Sequence, residues 1–122
     1  MSKTCLIIDD VDVSRYVARQ HMAQLGFSAL EAIEPKAAWE ELSRAHVDVI
    51  LLDWHLRREN GLEFIEKVRS HTNTRNVPVI VVSGVEQGNK LEEIKSAGAQ
   101  GYIAKPVTLE SLTAELQRLK LL

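Results

Sequence analysis

Polar groups close the apolar runs of this sequence at regular intervals. Asp9 and Asp10 follow the run 4–8, and Asp53 ends 47–53. Ser83 and Gly84 follow 77–82, and Lys105 and Pro106 follow 101–104. Singly, each has an ordinary reading. An aspartate at a strand end is commonly a turn or cap residue. Ser83 alone reads as a loop residue, and Lys105 alone as a solvated lysine. Together they are three acids, a hydroxyl, a lysine and a small glycine. Three carboxylates in one pocket repel each other, at about 4 kcal/mol per pair for roughly 4 Å and an effective dielectric near 20. One lysine cannot neutralise three acids. A divalent cation can, and all-oxygen ligands suit a hard ion such as Mg²⁺. Mg²⁺ usually keeps waters and bridges to phosphate. The set therefore fits phosphoryl chemistry, with a carboxylate as nucleophile and the metal and Lys105 facing the phosphoryl oxygens.

That chemistry requires elements that bring the groups together. Residues 4–9, 47–53 and 77–83 are β-branched, apolar and ended by a polar residue, and 28–33 and 101–104 are weaker strands. Continuous rather than alternating apolar runs predict strands covered on both faces. Helical spacing lies between them. Val17, Ala18, His21, Met22 and Leu25 share one face, with Gly26 placed as a C-terminal cap. Ala38, Trp39 and Leu42 mark a second helix. Phe64, Ile65 and Val68 mark a third, with Asn60 as N-cap and Glu63 three residues on. The fourth, over 88–97, offers only Leu91, Ile94 and Ala97. The fifth carries Leu109, Leu112, Leu116 and Leu119, with Thr108 as cap. Five alternations of strand and helix predict an α/β fold with a mainly parallel sheet and helices on both faces. Ligands of such sheets bind at the carboxyl ends of the strands, where the polar groups stand.

The chain has 122 residues, 45% apolar and 26% charged, and reads as one domain spanning 1–122. A net charge of −2 without a long run of one sign argues against direct nucleic-acid binding. The apolar runs are far short of a membrane span. Acids at 9 and 10 do not fit a signal peptide. Cys5 is the single cysteine and cannot form an internal disulfide. The expectation is a cytoplasmic protein. The four histidines show no metal-ligand spacing. His21, on an apolar helix face, reads as a core-edge residue.

The sequence resembles a response-regulator receiver domain over essentially its whole length. The resemblance rests on Asp9-Asp10, Asp53, Gly61 eight residues later, Ser83-Gly84, and Gly-Tyr-Ile-Ala-Lys-Pro at 101–106. It implies a flavodoxin-like, doubly wound (βα)5 sandwich with strand order 2-1-3-4-5. It implies Asp53 as phosphoacceptor, and Mg²⁺ held by Asp10, Asp53 and the backbone carbonyl of His55, with Asp9 acting largely through a metal-bound water. Lys105 would contact the phosphoryl group, next to Gly84, and Pro106 would follow a cis peptide bond. Ser83 would move onto a phosphoryl oxygen in the active state and Tyr102 would turn inward behind it, a population shift between conformers. His55, Arg57 and Val85 would stand at the rim. Arg57 occupies a position where the family usually has proline, His55 one where Asn or Met is commoner, and Asn60 replaces a usual Asp. The implied partners are a histidine kinase or histidine phosphotransfer protein and an unknown downstream protein met by helix 4, strand 5 and helix 5. The implied state is a monomer or weak dimer. The family signals rather than acting as an enzyme on other substrates, although it promotes its own phosphorylation and dephosphorylation. The 101–106 segment is similar to stand-alone chemotaxis-type and relay receivers, and the chain closes on its fifth helix.

Three other readings fit less well. A phosphatase or mutase using an aspartyl phosphate commonly carries Asp-x-Asp, whereas Asp53-Trp54-His55 lacks the second acid. A flavin or nucleotide module needs a Gly/Ser/Thr-rich loop after strand 1, where this chain has acids. A receiver-like module that no longer accepts phosphate would not need the full set of Asp9, Asp10, Asp53, Ser83 and Lys105.

Overall fold

Every residue of the runs 49–53 and 79–83 is buried, as continuous apolar patterning requires of strands covered on both sides. The computed structural model describes residues 3–54, 61–84 and 91–122. Its strands are β1 (Lys3–Ile8), β2 (Phe27–Ala32), β3 (Val49–Asp53), β4 (Val79–Ser83) and β5 (Gly101–Ala104). Its helices are α1 (Asp12–Gln24), α2 (Pro35–Arg44), α3 (Gly61–Ser70), α4 (Leu91–Ala97) and α5 (Leu109–Arg118). The strands form one parallel sheet in the order β2-β1-β3-β4-β5, which is the expected doubly wound topology. Among the described residues no helix is long and apolar enough to cross a membrane.

Side chains alternate across a strand, and here the alternation builds two cores. Leu6, Ile8, Ile50, Leu52, Val79 and Val81 face α2, α3 and α4 and meet Ala38, Phe64, Ile65, Val68 and Ile94. Cys5, Ile7, Val49, Leu51, Ile80 and Val82 face α1 and α5 and meet Ala18, Met22, Leu112 and Leu116. Each fully buried Leu or Ile contributes about 1.5–3 kcal/mol. Cys5 is one of these hydrophobes. Burial pushes its thiol up to about 12, which makes it a poor nucleophile.

The expected strand starts shift by two residues in β3 and β4. Before β3, Asp48 is engaged at both ends with Thr4. Its amide donates to the Thr4 carbonyl (2.8 Å) and its Oδ2 accepts from the Thr4 amide (2.8 Å). Before β4 stands Pro78, which has no amide to donate. The α1 face also differs from the expectation. Ala18 and Met22 are buried, but Val17 is 37% exposed. The inward stripe is Ser14, Ala18 and Met22, at i, i+4 and i+8, with His21 and Leu25 half-buried beside it. The His21 Nδ1 is buried without a hydrogen-bond partner among the described residues.

Two predicted helix ends are present. Gly26 has φ +92°, and its amide donates to the Ala23 carbonyl. Thr108 caps α5 by a reciprocal pair with Ser111. The expected Asn60 cap lies outside the described residues.

Candidate active site

Parallel pairing aligns the carboxyl ends of β1, β3, β4 and β5 on one edge. Asp9 follows β1, and its amide donates to the Ala32 carbonyl (3.0 Å). Its side chain folds back, with Oδ1 accepting from the Val11 amide (2.9 Å). Arg15 donates to the Asp9 carbonyl (2.9 Å) while pairing with Asp12 and Glu31, which ties the start of α1 to β2. Asp53 is the last residue of β3 and only 3% exposed. Lys105, just past β5, brings its Nζ to 3.1 Å from Asp53 Oδ1. Its amide donates to the Ser83 carbonyl (2.8 Å), which holds the lysine stem beside β4. The Lys105–Pro106 peptide is cis, as the resemblance implied.

Asp9, Asp10 and Asp53 each place one carboxylate oxygen so that all three lie within 4.8 Å of one another. Asp9 and Asp53 are buried and Asp10 is half-buried. Lys105 supplies one positive charge against these acids. Burial, first, and the Asp53 charge, further, push the Asp9 carboxyl above its ordinary value. Hydrogen bonds from the Ser14 hydroxyl and the Val11 amide, and the Lys105 charge, pull it back. An all-oxygen donor set with surplus negative charge fits a hard divalent cation.

Ser83 ends β4 fully buried. Its Oγ donates to the Gly84 carbonyl (3.1 Å) and stands 3.5 Å from the Tyr102 hydroxyl, at the limit of a hydrogen bond. Tyr102 is half-buried on β5, with its amide donating to Glu115 Oε2 of α5 (3.0 Å). A cavity of about 350 Å³ opens beside it, lined by Leu91, Ile94, Lys95, Glu115 and Arg118 among others. Gly61 also finds a physical reason. A Cβ there would lie 2.8 Å from the Trp54 ring, so glycine lets α3 start against the residue that follows Asp53.

The structure therefore gathers Asp9, Asp10, Asp53, Ser83, Gly84 and Lys105 at one edge, with Tyr102 two strand positions behind, level with Val81. His55, Arg57 and Val85 lie outside the described residues. Ser14 was not anticipated. It lines a cavity of about 20 Å³ beneath the cluster together with Asp9, Asp53, Ala18, Val82 and Val107. The available signal was a hydroxyl on the α1 stripe that otherwise carries Ala18 and Met22.

Comparison with known proteins gives one answer. The family described as response regulator receiver domain matches residues 5–117. The chemotaxis protein CheY1 of Helicobacter pylori is 34% identical over 116 residues, covering 92% of each chain. The CheY homolog of Campylobacter jejuni is also 34% identical, covering 92% of this chain and 88% of its own. Among solved structures, CheY4 of Vibrio cholerae superposes with a TM-score of 0.89 at 26% identity, covering 98% and 99% of the two chains. The receiver domain of the sensor histidine kinase PA1611 from Pseudomonas aeruginosa, solved with a magnesium ion coordinated in its active site cleft, gives 0.86 at 26% identity, covering 97% of each chain. The chain belongs to the response regulator receiver domain family.

Proposed function

We propose that the protein is a chemotaxis-type response regulator that takes a phosphoryl group from a phosphohistidine donor onto Asp53. The observation that carries this reading is the buried Asp53 carboxylate, 3.1 Å from Lys105 and grouped with the oxygens of Asp9 and Asp10. An Asp53 oxygen forms the new bond to phosphorus while the P–N bond of the donor breaks. The electron pair of that bond goes to the imidazole nitrogen. Hydrolysis later adds water to phosphorus and returns the carboxylate.

Asp10 and Asp53 would hold Mg²⁺ directly, with the His55 carbonyl, and Asp9 through a bound water. When bound, the ion supplies the positive charge that three acids lack and that a phosphoryl group needs. Lys105, with its Nζ 3.1 Å from Asp53 Oδ1, would orient the phosphoryl oxygens. Ser83 and Gly84 stand next to the acceptor, and the Ser83 hydroxyl would turn from the Gly84 carbonyl to a phosphoryl oxygen. Tyr102, whose hydroxyl is 3.5 Å from that of Ser83, would follow it inward and change the surface formed by α4, β5 and α5, where a downstream protein would bind. The protein's chemistry is then its own phosphorylation and dephosphorylation.

Intact mass after incubation with Mg²⁺ and acetyl phosphate tests the reading. One acid- and hydroxylamine-sensitive phosphoryl adduct is expected, absent from Asp53→Asn and absent without metal. Persistent absence of an adduct, together with failure to bind beryllofluoride, would reduce the protein to the fold without its chemistry.

A further inference from the structure

We propose that Ser14 is a positioning residue for the acidic cluster, its hydroxyl holding the Asp9 carboxylate in the orientation that serves Mg²⁺. This rests on the metal reading above and deepens it. Ser14, Ala18 and Met22 form the inward stripe of α1, and the other two members are buried and apolar. A hydroxyl on such a stripe is unfavourable unless it is hydrogen-bonded. The serine stands at the stripe position nearest the acids.

The space around it explains what the hydroxyl does. Ser14 lines the cavity of about 20 Å³ under the cluster, and among the described residues the other polar walls are Asp9 and Asp53. The rest of that lining is aliphatic, from Ile7, Ile8 and Leu51 to Val82. Among the described residues the two carboxylates are therefore the side-chain acceptors around the cavity. Asp9 already receives the Val11 amide on Oδ1. One donor fixes one oxygen and leaves the group free to swing. A second donor from the helix side fixes its rotation. Ser14 brings its hydroxyl to the same cavity wall as the Asp9 carboxylate, on the helix side. Without it, the cavity gives Asp9 room to turn down and away from the metal position.

Three substitutions separate hydroxyl from volume. Ser14→Ala removes the hydroxyl and enlarges the cavity. Ser14→Val removes the hydroxyl and fills the cavity. Ser14→Thr keeps the hydroxyl and fills the cavity. Mg²⁺ affinity is read by titration calorimetry, without any phosphodonor, and metal-free melting curves verify that each variant is folded. Threonine is expected to bind within about twofold of the unchanged protein, and alanine and valine roughly tenfold more weakly. Wild-type affinity in folded Ser14→Ala and Ser14→Val would overturn the proposal. So would valine binding as tightly as threonine, which would make volume the determinant. No Mg²⁺ binding by the unchanged protein would overturn the metal reading itself, and this inference with it.

Discussion

Asp9 is 6% exposed yet stands among other acids, and its surroundings hold its carboxyl above the ordinary range, chiefly through burial and then through the charge of Asp53. A carboxylate whose folded-state pKa is raised destabilises the fold at neutral pH. That penalty is fully present above the raised pKa. It lifts as pH falls through the raised value toward the ordinary one. Asp9→Asn keeps Oδ1 for the Val11 amide and removes the charge. Without metal it is expected to raise the melting temperature at pH 7 by about 4 °C, on the order of 1 kcal/mol for a domain of this size. The gain should shrink as pH is lowered toward 4. The same variant should lose most of the stabilisation that Mg²⁺ gives the unchanged protein. A lower metal-free melting temperature for Asp9→Asn at pH 7 would count against a repulsive cluster. Asp10→Asn should give a gain of the same sign, since relief of repulsion acts on that residue too.

The strand ends are the elements whose contribution was most legible. Asp9, Asp53, Ser83 and Lys105 each close an apolar run, and a parallel sheet puts such positions on one edge by construction. What packing decides was less visible. Val17 and Ala18 are neighbours of similar polarity, and only the seat of α1 on the sheet turns Ala18 in and Val17 out. A serine near a helix start reads as surface or cap, so a hydroxyl on the Ala18–Met22 stripe did not by itself point to the carboxylate beneath it. Arg69 shows the same limit at long range. It lies at the end of α3 and donates to the Gly98 carbonyl from Nε and Nη2 (3.1 and 2.8 Å) and to the Val77 carbonyl from Nη1 (2.7 Å). Burial lowers its pKa. It thereby ties α3 to the start of β4 and to the turn between α4 and β5, where Gly98 takes φ +116°. Arg69→Met keeps the stem and removes the donors, leaving partly buried carbonyls unpaired. The expected cost is about 2 kcal/mol, read as a lower urea midpoint with unchanged slope. Mg²⁺ affinity should be unaffected, because the strap lies away from the acids. A variant as stable as the unchanged protein would mean that water replaces the guanidinium at no cost.

At the scale of the molecule, the sheet separates two cores, and the helices are unequally anchored to them. In the core beneath α1 and α5, α5 contributes Leu112 and Leu116 and carries a reciprocal cap. The described α4 contributes one fully buried side chain, Ile94. Weakly anchored elements open with the least free energy, so a change at the site is expected to spread first through α4. The route is short. Asp53 pairs in register with Val82, the neighbour of Ser83, and Ser83 stands 3.5 Å from Tyr102, which borders the cavity shared with α4. Among the described residues α2 packs across β2 and β1, away from the Ser83–Tyr102 route. Beryllofluoride with Mg²⁺ mimics the phosphoryl group, and amide exchange with and without it separates two effects. Ligand linkage alone slows exchange through global unfolding, equally wherever that route dominates. Coupling to the output face adds a local change. Exchange in α4 and β5 should alter by roughly 5- to 100-fold beyond the global effect, while α2 follows the global effect alone. Ser83→Ala should still bind the mimic but reduce the change in α4. If α4 and α2 respond alike in the unchanged protein, the acceptor site is not coupled to the α4–β5–α5 face, and the partner must read the phosphoryl group at the rim itself.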